Sequence, residues 1–262
     1  MSSDLQATAV AWRAAGKRAV VVEVARAKGS VPREAGTRML VAETEVQGTI
    51  GGGHLELQAI AMARELLRSD AAAHEQHLAL GPSLGQCCGG ALDLRYRALE
   101  AADPAAWPRP APRFFLQLYG AGHVGRAIVH LLAGIDCRVQ WIDEREGEFP
   151  SDPSPPNIER LCVEPVEAEV SAAPPGAFFL VLTHSHALDL ALTQAILRRG
   201  DFGWFGLIGS KTKRAAFESR LRQRGFGPEL LSRITCPIGL PAIAGKEPEV
   251  IAVAVVAQLL QL

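Results

Sequence analysis

The stretch Phe114-Phe-Leu-Gln-Leu-Tyr119-Gly120-Ala-Gly122-His-Val-Gly125 decides the fold of the C-terminal half. A short apolar run ends in a G-x-G-x-x-G turn, and an amphipathic pattern from Val124 to Leu132 follows at helical spacing. Strand, glycine turn and helix in that order aim the backbone amides of the helix start at an anion, with no side chains in the way. Asp143 lies 21 positions beyond Gly122 at the end of the next apolar run, Arg138 to Ile142, where a ribose-binding carboxylate belongs. The glycines serve either a phosphate-bearing ligand or only tight strand-helix packing, and the motif by itself shows no hydride chemistry.

Outward from this motif, strands read at Ile158 to Val163, Phe178 to Thr183 and Trp204 to Ile208, and helices at Leu188 to Arg199, Lys213 to Arg224 and Pro248 to Leu260. Alternating apolar runs and amphipathic helices make a parallel sheet covered on both faces. The expected class is α/β, a C-terminal Rossmann-like doubly wound parallel sheet over 113–262 preceded by a smaller mixed α/β domain over 1–100. Between them, Ala101 to Arg113 carries four prolines and reads as a linker, 101–112. The N-terminal domain shows strands at Val20 to Ala25, Thr37 to Ala42, His77 to Leu80 and Ala91 to Leu99, and a half-buried helix at Leu55 to Arg68.

Composition bounds the function. At roughly 150 residues per domain, 262 residues make one large or two ordinary domains. With 48% hydrophobic and 21% charged residues the chain can bury a sizeable core. Twenty-seven Lys and Arg against 28 Asp and Glu leave a net charge of -1, without the basic excess that nucleic-acid binding uses. No apolar run approaches a membrane span, and the N-terminus lacks the order of a secretory signal, so the expectations are no nucleic acid, no membrane and a cytoplasmic location. Five cysteines, an odd number, fit a reducing compartment.

Four further segments carry candidate chemistry. Gly206-Leu-Ile-Gly-Ser210-Lys211 repeats the strand-glycine-helix device and offers a hydroxyl and a cation, while the basic residues after Arg214 read as a solvated helix face. Thr183-His184-Ser-His186 with Asp189 sits at a strand end on the ligand-facing side; the histidines read as pocket-lining groups, a metal pair or surface groups, and Asp189 as a cap of the next helix. Leu84-Gly-Gln-Cys87-Cys88-Gly-Gly90 places adjacent thiols among glycines, without the gap of a zinc or thioredoxin motif; either the thiols ligate a soft metal or carry sulfur, or they are a structural pair. Gly29-Ser-Val-Pro-Arg33 and Gly48 to Glu56 read as a further anion cradle or as turns alone. Cys137 and Cys162 read as strand fillers, and Cys236 has no visible partner.

Taken together, Gly29-Ser-Val-Pro-Arg33, Gly48-Thr-Ile-Gly-Gly-Gly53 with Leu55-Glu56, Gly85-Gln-Cys-Cys-Gly-Gly90, Tyr119 to Gly125, Thr183-His-Ser-His186 and Gly206 to Lys211 resemble the XdhC/CoxI family of xanthine dehydrogenase accessory proteins. The resemblance runs from about residue 5 through Pro237-Ile-Gly-Leu240 to the final helix, with Val31 where the family often has Thr. It implies a homodimeric chaperone without turnover. Such a protein binds molybdenum cofactor, supports its sulfuration by a cysteine desulfurase and inserts it into apo xanthine dehydrogenase. The Cys87-Cys88 pair stands where the family's cofactor-linked cysteine should be, with Cys88 preferred as the molybdenum contact. The binding set it implies is Cys87, Cys88, Gly120, Gly122, His123, Gly125, Asp143, His184, His186, Ser210 and Lys211, with the thiols and the phosphate cradle sharing one pocket. NAD or another nucleotide in the Rossmann crevice is the alternative occupant, and with it an NAD(P)-dependent oxidoreductase in which His184 or His186 acts as acid or base. A thiol or metal redox protein resting on Cys87 and Cys88 is a third reading.

Overall fold

The computed structural model describes residues 5–69, 73–80, 89–108 and 111–262. The chain divides into two compact units, Met1–Pro110 and Ala111–Leu262.

The first unit runs α1 (Leu5–Ala14), β1 (Ala19–Lys28), β2 (Arg38–Ala42), β3 (Val46–Gly48), α2 (Gly53–Ser69), β4 (Ala73–Ala79) and β5 (Ala91–Ala98). Its strands form one antiparallel sheet in the order β3-β2-β1-β5-β4. Why β1 begins as an unbroken apolar run, Ala19-Val-Val-Val22, follows from the two helices. Val20 and Val22 face α2 and its Leu55, Ala59 and Ala63, while Ala19 and Val21 face α1 through Ala9, Leu5 and Trp12. Burial on both faces removes the polar alternation that a half-solvated strand shows. From Glu23 onward the second face is no longer covered by α1, and polar residues return there.

Helix α1 and strand β3 are absent from the sequence reading, and the Ala/Pro stretch folds differently from it. Residues Leu99–Ala101 and Pro104–Ala106 form 3-10 turns, with Pro104 at the first position, where its missing N–H breaks no turn bond. Gln6 of α1 donates to the carbonyls of Pro104 (2.8 Å), Ala105 (3.2 Å) and Trp107 (3.3 Å), so this segment belongs to the first unit.

The second unit runs β6 (Phe115–Tyr119), α3 (His123–Leu132), β7 (Arg138–Asp143), β8 (Ile158–Cys162), β9 (Phe178–Val181), α4 (His186–Arg199), β10 (Trp204–Leu207), α5 (Lys211–Gln223), α6 (Pro228–Ser232), β11 (Ile234–Thr235) and α7 (Pro248–Leu259). All six strands are parallel, in the order β11-β10-β9-β6-β7-β8. This is the doubly wound order, with the switch point between β6 and β9. One core lies between the sheet and α4 and α5, the other between the sheet and the α3-α7 pair. Short strands β6 and β9 are apolar except for Gln117 because both cores reach them, and Gln117 is buried with its amide donating to Gln140 Oε1 and the Glu169 carbonyl. Sequence reading missed α6 and β11, which are only five and two residues long. Among the described residues no helix is long and apolar enough to cross a membrane.

Candidate functional site

At the switch point β6 passes into α3 through Gly120-Ala-Gly122, and each glycine answers a different demand. Gly120 has φ +124°, and a Cβ there would lie 2.4 Å from the Leu182 carbonyl oxygen. A Cβ on Gly125 would lie 2.1 Å from the Gly120 carbonyl oxygen. These two are packing glycines, as strand and helix approach too closely for any side chain. Gly122 is unlike them: a Cβ there meets nothing within 4 Å, and its φ of -69° suits any residue. It caps α3 without a side-chain cap, so among the described residues no side chain serves the first-turn amides at the positive end of the helix dipole. His123, the first residue of α3, is exposed beside them.

Asp143 corrects the reading of the site. Its side chain is buried, and both oxygens are already engaged. Oδ2 accepts from Ala121 N at 2.7 Å and from Arg145 Nη2 at 3.0 Å, while Oδ1 accepts from Arg145 N at 3.0 Å and Nε at 2.9 Å. A carboxylate has about four acceptor positions, so no oxygen is left for a ribose hydroxyl while Arg145 stays in place. Burial alone would raise the Asp143 carboxyl, but the hydrogen bonds from Arg145 and Ala121 and the Arg145 charge together hold it below the ordinary carboxylate value. Arg126, one turn into α3, donates to the carbonyls of Ala121 (3.0 Å) and Glu148 (2.9 Å) and pairs with the Glu148 carboxylate at 2.9 Å. Asp143 and Arg126 thus fix the glycine turn from two sides.

Of the two histidines, only His184 lines the crevice at the switch point, beside Gly120, Asp143, Glu144 and Thr183. Its Nε2 stands 3.7 Å from Glu144 Oε1. The crevice encloses about 10 Å³, room for one water molecule, so a ligand of any size lies over the helix start rather than inside it. His186 is exposed on the first turn of α4 and is not part of the crevice wall. Among the described residues no three His, Cys, Asp or Glu side chains gather to hold a metal ion.

Asp189 is the residue whose role the sequence hid. Ser185 caps α4, its hydroxyl accepting from Leu188 N at 3.4 Å. Asp189 is fully buried instead, and accepts from Thr183 N (3.1 Å), Thr183 Oγ1 (2.7 Å) and Lys213 Nζ (2.5 Å). Lys213 also donates to the Ile208 carbonyl at 2.9 Å. This pair bolts the ends of β9 and β10 to α5, and its partners are 24 residues apart with no local spacing to announce them. Ser210 caps α5 through Lys213 N at 3.2 Å, and both Ser210 and Lys211 are exposed. Arg220, Arg222 and Arg224 form the solvated face read from the sequence.

In the first unit the expected anion cradle already holds an anion of the chain itself. Glu56 Oε2 accepts from Thr49 Oγ1 at 2.5 Å, Ile50 N at 3.0 Å and Gly52 N at 3.1 Å, filling the turn before α2. Arg33 is exposed. The nearby glycine motifs converge: a Cβ on Gly51 would lie 2.4 Å from Pro32, and one on Gly90 would lie 2.4 Å from the Ser30 carbonyl oxygen. Cys87 and Cys88 lie outside the described residues. Of the other cysteines, Cys137 is buried and its thiol pushed up to about 11 by burial, and Cys236 is buried beneath Gly209 and likewise raised by burial. Cys162 is exposed at the end of β8, its thiol 3.6 Å from the Glu144 carbonyl.

The model of the XdhC Rossmann domain matches residues 116–259, and the model of the XdhC and CoxI family matches residues 12–77. The uncharacterized protein YqeB of Escherichia coli K12 is 29% identical over 249 residues, which take in 92% of this chain and 43% of that protein. The chain therefore spans less than half the length of this curated relative. A crystal structure from Bacillus halodurans, described as a xanthine dehydrogenase, matches with a TM-score of 0.75 at 19% identity over 98% of this chain and 94% of that one. At that identity the likeness is one of fold.

Proposed function

Because the chain belongs to the XdhC and CoxI family, we propose that it is an accessory protein of xanthine dehydrogenase that binds molybdenum cofactor as cargo, supports its sulfuration and delivers it to the apo-enzyme. The observation that carries this reading is the Gly122 turn, a helix start with no side-chain cap and open space where a Cβ of Gly122 would lie. The cargo combines a phosphate with a soft, sulfur-bound metal. The turn suits the phosphate, and Cys87 and Cys88 supply thiolates for the metal, with Cys88 as the preferred contact. His123, at the rim of the turn, and Ser210 and Lys211, exposed at the start of α5, are further polar groups offered to the cargo. A cysteine desulfurase as sulfur donor and a homodimeric assembly belong to the same reading.

The competing oxidoreductase reading loses its ribose acceptor, since Asp143 is fully engaged by Arg145 and Ala121. Purifying the protein from cells that make molybdenum cofactor, then measuring bound molybdenum and the fluorescence of its oxidised pterin, tests the proposal. Pterin and metal should co-purify with the wild type and fall in Cys87→Ala or Cys88→Ala. Absence of pterin from the wild type, with tight NAD binding and turnover, would sink it. Full loading of both cysteine variants would refute the thiolate contact.

A further inference from the structure

Among the described residues of the first unit, helix α1 covers only part of one face of the sheet. Helix α1 lies over Ala19, Val21, Leu40 and Ala42, and its cover ends there. Beyond it the register sets Glu23 of β1 between Arg38 of β2 and Arg95 of β5, with Arg97 opposite Val21. A cavity of about 480 Å³ opens over these residues and is closed on one side by Trp107 from the segment after β5. That volume lies in the range of small-ligand sites.

Two of the three guanidinium groups here are held in place before any ligand arrives. Arg38 pairs with Glu23 at 2.7 Å and sits 5.0 Å from the centre of the Trp107 ring. Arg95 donates to Glu75 at 2.7 Å and stands 4.0 Å from the second oxygen of Glu23. Asp103, the other carboxylate of the wall, is drawn to Arg13 at 3.6 Å. Arg97 is exposed and makes no ion pair or side-chain hydrogen bond with any described residue. The wall thus offers one uncompensated guanidinium next to two fixed ones, with an indole and Val21 as apolar surface. A guanidinium fork matches a phosphate or carboxylate in two hydrogen bonds, and an indole favours a flat ring.

We propose that this cavity binds a small planar anion, an aromatic or heteroaromatic ring bearing a phosphate or carboxylate, with Arg97 on the anion and Trp107 against the ring. The site lies wholly within the first unit and is independent of the Rossmann turn and of the accessory role.

The test is calorimetric titration of the full chain with guanosine monophosphate and, separately, inorganic phosphate. Saturable binding of the nucleotide is expected, with phosphate binding more weakly. Arg97→Ala should weaken both by about fivefold or more, the loss of a charged hydrogen bond. Trp107→Leu should weaken only the nucleotide, and because Arg97 and Trp107 both belong to the first unit, these two effects separate this cavity from the Rossmann turn. Because Arg97 is exposed, its variant should keep the wild-type melting temperature. Absence of nucleotide binding up to about 10 mM, or affinities that Arg97→Ala leaves unmoved, would overturn the proposal.

Discussion

Two glycine-rich turns lead into helices in this protein, and they end in opposite states. Before α2, the run Gly48 to Gly53 is filled by the Glu56 carboxylate; before α3, Gly120 N and Ala121 N bond to Ile142 and Asp143, and the helix start at Gly122 has no side-chain cap. The difference lies at the fourth residue of each helix. In α2 (Gly53–Ser69) it is Glu56, which reaches back and satisfies the turn. In α3 (His123–Leu132) it is Arg126, which turns to carbonyl oxygens and to Glu148 and brings no negative charge to the amides. Glycine spacing alone announces a turn able to hold an anion. The sign of the charge at the fourth helical residue decides whether the helix itself caps its own start with an anion.

The largest break in this comparison comes from the packing glycines. Gly125→Val should cost about 3 kcal/mol or more, because its side chain would collide with the Gly120 carbonyl that holds the turn in place. Chemical denaturation would show this as a lowered midpoint, and a variant of wild-type stability would contradict the geometry. Next comes Glu56→Ala, which deprives one hydroxyl and two amides of their charged acceptor. A loss of about 2–3 kcal/mol is expected, and added sulfate should restore part of it by occupying the emptied turn. Stability that is unchanged, or insensitive to sulfate, would mean the turn does not select an anion.

A smaller effect is the pH dependence of the turn before α3. The Asp143 carboxyl is lowered in the folded state, so its contribution is complete above the ordinary carboxyl value and is lost as pH falls through the lowered one. Asp143→Asn should therefore be less stable than the wild type near neutrality, and the gap should narrow on acidification in thermal melts. A gap that widens in acid would reverse the assignment.

How far the sequence carried these conclusions depended on range. The doubly wound unit was legible because strand, turn and helix are contiguous, and Gly120, Gly125 and Asp143 fall at positions fixed by local geometry. What Asp143 does was not legible, since its engagement depends on Arg145 folding back over it rather than pointing to solvent. The Asp189-Lys213 bolt was hidden for a different reason: it joins two strand ends that only the parallel sheet makes neighbours. In the first unit, Leu5–Ala14 escaped notice because few apolar side chains mark its buried stripe, and its importance appears only where it covers Ala19 and Val21.

The claim that the open turn receives the phosphate of the cargo is tested most directly by Gly122→Asp. The position tolerates a side chain in both space and backbone angle, and the new carboxylate would stand at the helix start in place of a ligand anion. Cofactor loading of this variant, measured as oxidised-pterin fluorescence per chain, should fall about tenfold or more while the melting temperature stays near that of the wild type. Wild-type pterin content in a folded Gly122→Asp protein would contradict the account.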